Sequence, residues 1–185
     1  MAARATESEL DRLSRSIRLH EDEEAVKGVE IKQPREGRLL FKFNHVIDWN
    51  HALNGCPWSL DKHVLLLIEI RVDENLTQVD LNWCDFFIHI HELPLSRMNL
   101  CAATLIGNQL GIFWDIEMDD TGCSWGSSLR IRVGLDVNAP LKRVLKLRTT
   151  IGVEHLARFT YERLPNFCYI CGMLGHIAKY CEEQF

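Results

Sequence analysis

A chain of 185 residues with 46% apolar side chains is long enough to bury a real core, and suits one domain with an appendage. Its formal net charge of −5 argues against a uniformly basic nucleic-acid binder. The longest apolar run, Val64 to Ile68, is far too short for a membrane span, and residues 1–9 lack a secretory apolar stretch.

In chain order, residues 1–24 read as a polar arm ending in the acidic cluster 21–24, with Leu10, Leu13 and Ile17 at helical spacing. Residues 26–33 and 39–43 flank Pro34-Arg-Glu-Gly37 and predict a β-hairpin. Asn44 is placed to cap a helix running to Leu53, whose apolar face is Val46, Ile47, Trp49, Ala52 and Leu53, and Gly55 and Pro57 stop it. Residues 63–70 predict a buried strand, 71–82 a loop, and 85–91 a second strand closed by Leu93-Pro94. A helix is expected over 95–111, with Met98, Ala102, Leu105, Ile106 and Leu110 on one side, then a strand over 112–118 and a turn over 119–126. Residues 129–137, 143–150 and 153–162 read as three strands, with Gly152 turning between the last two. The expected class is α+β: a largely antiparallel sheet with helices on one face, plus a short cysteine-bearing C-terminal appendage. The first part looks like a ferredoxin- or RRM-like unit that has lost its opening strand and helix. The aromatic signature of RNA-binding RRM strands is absent from it.

The stretch that carries chemistry is the last. Cys168, Cys171, His176 and Cys181 are spaced C-x2-C-x4-H-x4-C within fourteen residues. Three thiolates and an imidazole can converge on one tetrahedral ion, and Zn²⁺ is what such a set binds. Gly172 and Gly175 fall where the loop must turn sharply around the metal. With all four ligand positions filled, no place remains for a catalytic water, so one structural Zn²⁺ is expected, with metal binding supplying folding energy. Tyr169 and Ile177 each follow a ligand and can form a small apolar platform for an unpaired base, while Lys179, Arg163 and Tyr180 lie near enough to meet phosphate or stack. The competing use of Tyr169 and Ile177 is to dock the knuckle on the preceding domain. The other four cysteines, Cys56, Cys84, Cys101 and Cys123, show no framework spacing, which points to a reducing compartment, nuclear or cytoplasmic.

The knuckle and the run Tyr161-Glu-Arg-Leu-Pro-Asn-Phe-Cys168 before it resemble the retroviral-type CCHC knuckle of plant retrotransposon-derived, Gag-like proteins of non-LTR elements. Further matching pieces, in order, are Lys27-Gly-Val-Glu-Ile31, Leu53-Asn-Gly-Cys-Pro-Trp58-Ser, His63-Val-Leu-Leu-Leu67, Glu92-Leu-Pro94, Ile106-Gly107 and Pro140-Leu-Lys-Arg143. The resemblance covers residues 25–182 and implies a nucleic-acid-binding protein with an N-terminal domain of unknown function. Family members carry a strand and helix ahead of the Lys27 stretch. Residues 1–24 are too polar to supply them, so a truncated domain is expected. The resulting organisation is an arm over 1–24, an α+β domain over 25–163 and the knuckle over 164–185.

Charge divides along the chain in the same sense. Residues 129–185 carry nine Lys/Arg against five Asp/Glu, so the cationic excess lies beside the knuckle and the acidic excess upstream. Other chemistry is thin. Asp120-Thr121-Gly122 spells an aspartic-protease triplet but lacks an apolar strand before it and reads as a turn. His89 and His91 share one strand face without a third ligand nearby. The five tryptophans read as core or surface packing. The expectation is a non-catalytic, zinc-dependent binder of single-stranded nucleic acid, with no membrane and no small-molecule substrate. The alternatives are a self-associating or protein-docking module, with the knuckle as its docking element, and a decayed element remnant that folds poorly and does little.

Overall fold

The structure, a computed structural model, describes residues 29–35, 38–71, 73–75, 78–118, 127–148, 152 and 154–184. The acidic arm, Cys123, Trp125 and the Asp120-Thr121-Gly122 triplet lie outside them. The chain divides into two compact units, residues 1–56 and 57–185.

In the first unit, β1 (Val29–Arg35) pairs antiparallel with β2 (Arg38–Phe43), and α1 (Val46–Asn54) follows. The hairpin and helix were expected, but the cap is one residue later than Asn44. His45 has extended backbone, and its Nδ1 accepts from the Ile47 N–H at 3.2 Å, taking up one of the donors that a helix start leaves unpaired. Gly55 closes the helix by donating to the His51 carbonyl. Ala52 is the one residue of α1 that is buried, while Val46 and Ile47 are exposed.

The second unit opens with a small hairpin, β3 (Trp58–Leu60) and β4 (His63–Leu65), turning at Asp61-Lys62. The long buried strand expected over 63–70 is therefore cut to three residues. Its partner is a short strand that the sequence pattern did not reveal, and Ile68 beyond it is exposed.

The main sheet has five strands in the order β6-β7-β5-β9-β8, every pair antiparallel: β5 (Trp83–His91), β6 (Ile112–Ile116), β7 (Ser128–Asp136), β8 (Val144–Arg148) and β9 (Glu154–Tyr161). The period of two along β5 decides its faces. Cys84, Phe86, Ile88 and Ile90 are buried, and Asp85, Phe87, His89 and His91 point the other way. β7 matches it with buried Leu129, Ile131, Val133 and Leu135. These side chains form one core with Ala103 and Ile106 of α2 (Leu100–Leu110), which packs on β6 and β7. Each large side chain fully withdrawn from water contributes roughly 1.5–3 kcal/mol.

The helix expected over 95–111 begins late. A single 3-10 turn occupies Leu95–Arg97, and Asn99 then caps α2, its Oδ1 accepting from the Ala102 N–H at 3.0 Å. Leu105, expected on the buried side, is exposed, and Ala103 and Gly107 are buried instead. Small residues let α2 approach the sheet closely: a Cβ on Gly107 would stand 2.6 Å from the Phe113 ring, and Ile106 is the one large side chain of the helix that is buried.

The opposite face of the sheet is tied together by charge. The Arg130 guanidinium lies 3.8 Å over the Phe87 ring and makes a two-point contact with Glu162, at 2.7 and 3.0 Å. Arg132 pairs with Asp85, which also accepts from the Trp114 indole. His89 lies between Ser128 and Glu162, and His91 meets Thr160. The two histidines are thus engaged within the sheet face, as residues of a polar network. Trp83 and Trp114 are exposed, and Trp49 and Trp58 half-buried, so none of the four described tryptophans is a core residue.

Candidate metal centre

β9 runs directly into the knuckle. Arg163, with left-handed backbone (φ +48), turns the chain out of the strand, and Leu164 and Phe167 pack back against the core of the sheet. Phe167 pairs with Leu174 across an antiparallel bridge. Around it, the Cys168 N–H donates to the Met173 carbonyl at 2.9 Å, Gly172 to Cys168 at 2.8 Å, and Gly175 to Asn166 at 2.9 Å. Two residues need glycine here. Gly172 has φ +79, and a Cβ on it would stand 3.2 Å from Pro140; its carbonyl accepts from the Leu141 N–H at 2.8 Å. Gly175 has φ +95 with open space around it, so its requirement is conformational alone. A 3-10 turn over Ala178–Tyr180 then brings Cys181 back to the first two cysteines.

The result is one cluster. The ligand atoms of Cys168, Cys171, His176 and Cys181 all lie within 4.8 Å of one another. Cys171 Sγ stands 3.4 Å from His176 Nε2. A tetrahedral zinc with bonds of about 2.3 Å to sulfur and 2.0–2.1 Å to nitrogen has S···N edges of about 3.5 Å and S···S edges of about 3.8 Å. The donor set and its spacing fit that ion. Cys168 and Cys181 are buried, and Cys171 and His176 half-buried. Burial raises the Cys168 thiol's pKa, but hydrogen bonds from the Cys171 and Ile170 backbone outweigh it and bring the thiol down to about 6. Burial pushes Cys181 up to about 11.

The surface around the cluster is apolar and aromatic. Tyr169 (66% exposed), Ile177 (43%) and Tyr180 (68%) stand out, joined by Ile170. Tyr169 packs edge-on to Phe167, ring centroids 5.0 Å apart, which connects the exposed ring to the buried core. The Lys179 ammonium lies 5.6 Å from the Tyr180 ring centre. Arg163 is exposed but belongs to the turn leaving β9, with Leu164 to Phe167 between it and the first cysteine. Sequence reasoning did not find the part played by Phe167, Leu174 and Leu141 in seating the knuckle on the sheet. The available signal was the apolar character of Leu164, Phe167 and Leu174 in a segment too short to need a core of its own.

Among curated proteins and among solved structures, no match to the chain was found. A family model described as a zinc knuckle does match, over residues 135–183; the match begins in β7 and takes in β8 and β9 before it reaches the first cysteine, so the segment similar to that family is the knuckle together with the hairpin that carries it.

Proposed function

We propose that this protein binds single-stranded nucleic acid through a knuckle ordered by one structural zinc ion. The observation that carries this reading is the exposure of Tyr169, Ile177 and Tyr180 around a buried Cys3His cluster, with Lys179 beside them. Flat apolar rings next to a cation suit an unpaired base and its phosphate, and need no duplex groove. Zinc supplies the fold of the loop and no chemistry beyond it, because the four protein ligands fill a tetrahedron. On this reading the protein is not an enzyme, acts in a reducing compartment (nucleus or cytoplasm), and derives from a Gag-like retrotransposon protein. That origin is supported by the sequence resemblance over residues 25–182. A ferredoxin- or RRM-like ancestry belongs to the same proposal, supported by the β1-β2-α1 order of the first unit.

The second reading is a protein-docking knuckle. It is favoured by the same exposed rings together with Ile170, which enlarges the apolar patch. Fluorescence anisotropy of a labelled single-stranded RNA containing unpaired guanines, titrated with zinc-loaded protein, decides between them. Binding that disappears with chelator and in Cys171→Ser supports the nucleic-acid reading. Absence of binding at low salt, with one zinc per chain, transfers the site to a protein partner.

A further inference from the structure

The β3–β4 turn touches the knuckle. Lys62 accepts at its carbonyl from the Asn166 N–H at 2.8 Å, and Asn166 in turn accepts from Gly175 at 2.9 Å, one residue before the ligand His176. A continuous backbone path therefore runs from the hairpin tip to the metal loop, and Ile177 follows that ligand. The turn itself is unusual. Asp61 (φ +47) and Lys62 (φ +66) both have left-handed backbone and join Leu60 to His63 as a two-residue connection. Such turns favour Asp or Asn first and Gly second. Asp61 obeys that preference. Lys62 does not, since an L side chain with a long stem occupies a glycine position at a conformational cost. Among the described non-glycine residues with left-handed backbone, Lys62 and Arg163 are the two cations, and they adjoin opposite ends of the 163–166 segment that leads into the knuckle. The turn requires this backbone conformation but not a lysine in it, so the choice of residue points to what the side chain does.

We infer that Lys62 is a phosphate contact of the nucleic-acid site, so that the site extends from the knuckle onto the β3–β4 turn. This rests on the nucleic-acid reading above. Lys62 is exposed, and its turn is hydrogen-bonded to the segment that leads into the knuckle, so its ammonium, on a long flexible stem, is available to a phosphate of a strand bound there. Asp61 is there for the turn, and its carboxylate opposes the same phosphate.

The full chain loaded with zinc is compared with Lys62→Gly, Lys62→Gln and Asp61→Asn, using labelled single-stranded RNA over a series of salt concentrations. Lys62→Gly relaxes the turn, so it should melt no lower than the parent while binding several-fold more weakly. Its plot of log affinity against log salt should be shallower by about 0.7, the loss of one phosphate contact on a single strand. Lys62→Gln should lose the same slope. Asp61→Asn keeps a favoured turn residue and should bind more tightly at low salt. Unchanged affinity and slope in both Lys62 variants would overturn the inference and leave the knuckle reading standing, as would weaker binding with an unchanged slope. A parent protein that does not bind RNA at all would overturn both.

Discussion

Glu162 holds two side chains from distant strands, Arg130 of β7 through two hydrogen bonds and His89 of β5 through a third, immediately after β9 ends. The Arg130 hydrogen bond, helped by His89 and opposed by partial burial, lowers its carboxyl from the ordinary 4.5 to about 2. A carboxylate whose pKa is depressed in the folded state stabilises fully above about 4.5, and that contribution is lost as pH falls from there through about 2. Glu162→Gln should therefore be less stable than the parent at neutral pH, and the two melting temperatures should converge as the pH is lowered through that window. Circular dichroism melts from pH 6 to about 2 measure it. On the knuckle surface, Tyr169→Ala removes one stacking face and should weaken RNA binding by about 1–3 kcal/mol with zinc content unchanged. An affinity equal to the parent's would take Tyr169 out of the site. The two loop glycines should differ. Gly175→Ala should cost about 1–2 kcal/mol through its left-handed backbone alone, and Gly172→Ala more, because its new methyl group also meets Pro140. Chemical denaturation of the zinc-loaded proteins gives the order.

At the scale of elements, the knuckle is a continuation of β9 whose first turn is packed into the core. Phe167 is 6% exposed and belongs to the same cluster as Phe86, Ile88 and Val133, and Cys168 beside it is buried completely. Metal binding and sheet packing are therefore coupled through one residue boundary. Removing zinc should lower the stability of the whole 57–185 unit, not of the knuckle alone, since anything that binds only the folded state adds to its stability. A chelator should lower the melting transition monitored from the sheet, for example by hydrogen exchange at β5 and β7. Conversely, Phe167→Ala should cost about 3–5 kcal/mol and weaken zinc binding without altering a ligand. A melt of the sheet that ignores chelator would show the knuckle to be an independent bead. The period-two strands β5 and β7 and the capped helix α2 were legible as elements because each carries its own pattern. The three-residue strands β3 and β4 were not, since a run such as Val64 to Ile68 has no periodicity to say where pairing stops.

For the whole molecule, net charge is a poor guide and its distribution a better one. The chain is acidic overall, at −5, yet its last third carries the cationic excess. Binding through the knuckle and its neighbours should therefore weaken steeply with added salt despite the overall sign; an affinity indifferent to salt would point to an apolar protein interface. Sequence alone picked out the Cys3His set that the structure brings together, and zinc as the ion such a set suits, because three thiols and an imidazole at that spacing are a local property of fourteen residues. It also determined the α+β class and most elements of the main sheet, through the alternation of apolar residues. Tertiary structure decided what has no local signature. The order β6-β7-β5-β9-β8, the network around Glu162, the seating of Gly172 on Pro140 and Leu141, and the meeting of Lys62 with Asn166 all join residues far apart in the chain. Such contacts depend on how faces are covered and which backbone groups remain to be paired, and those are settled only when the strands have found their neighbours.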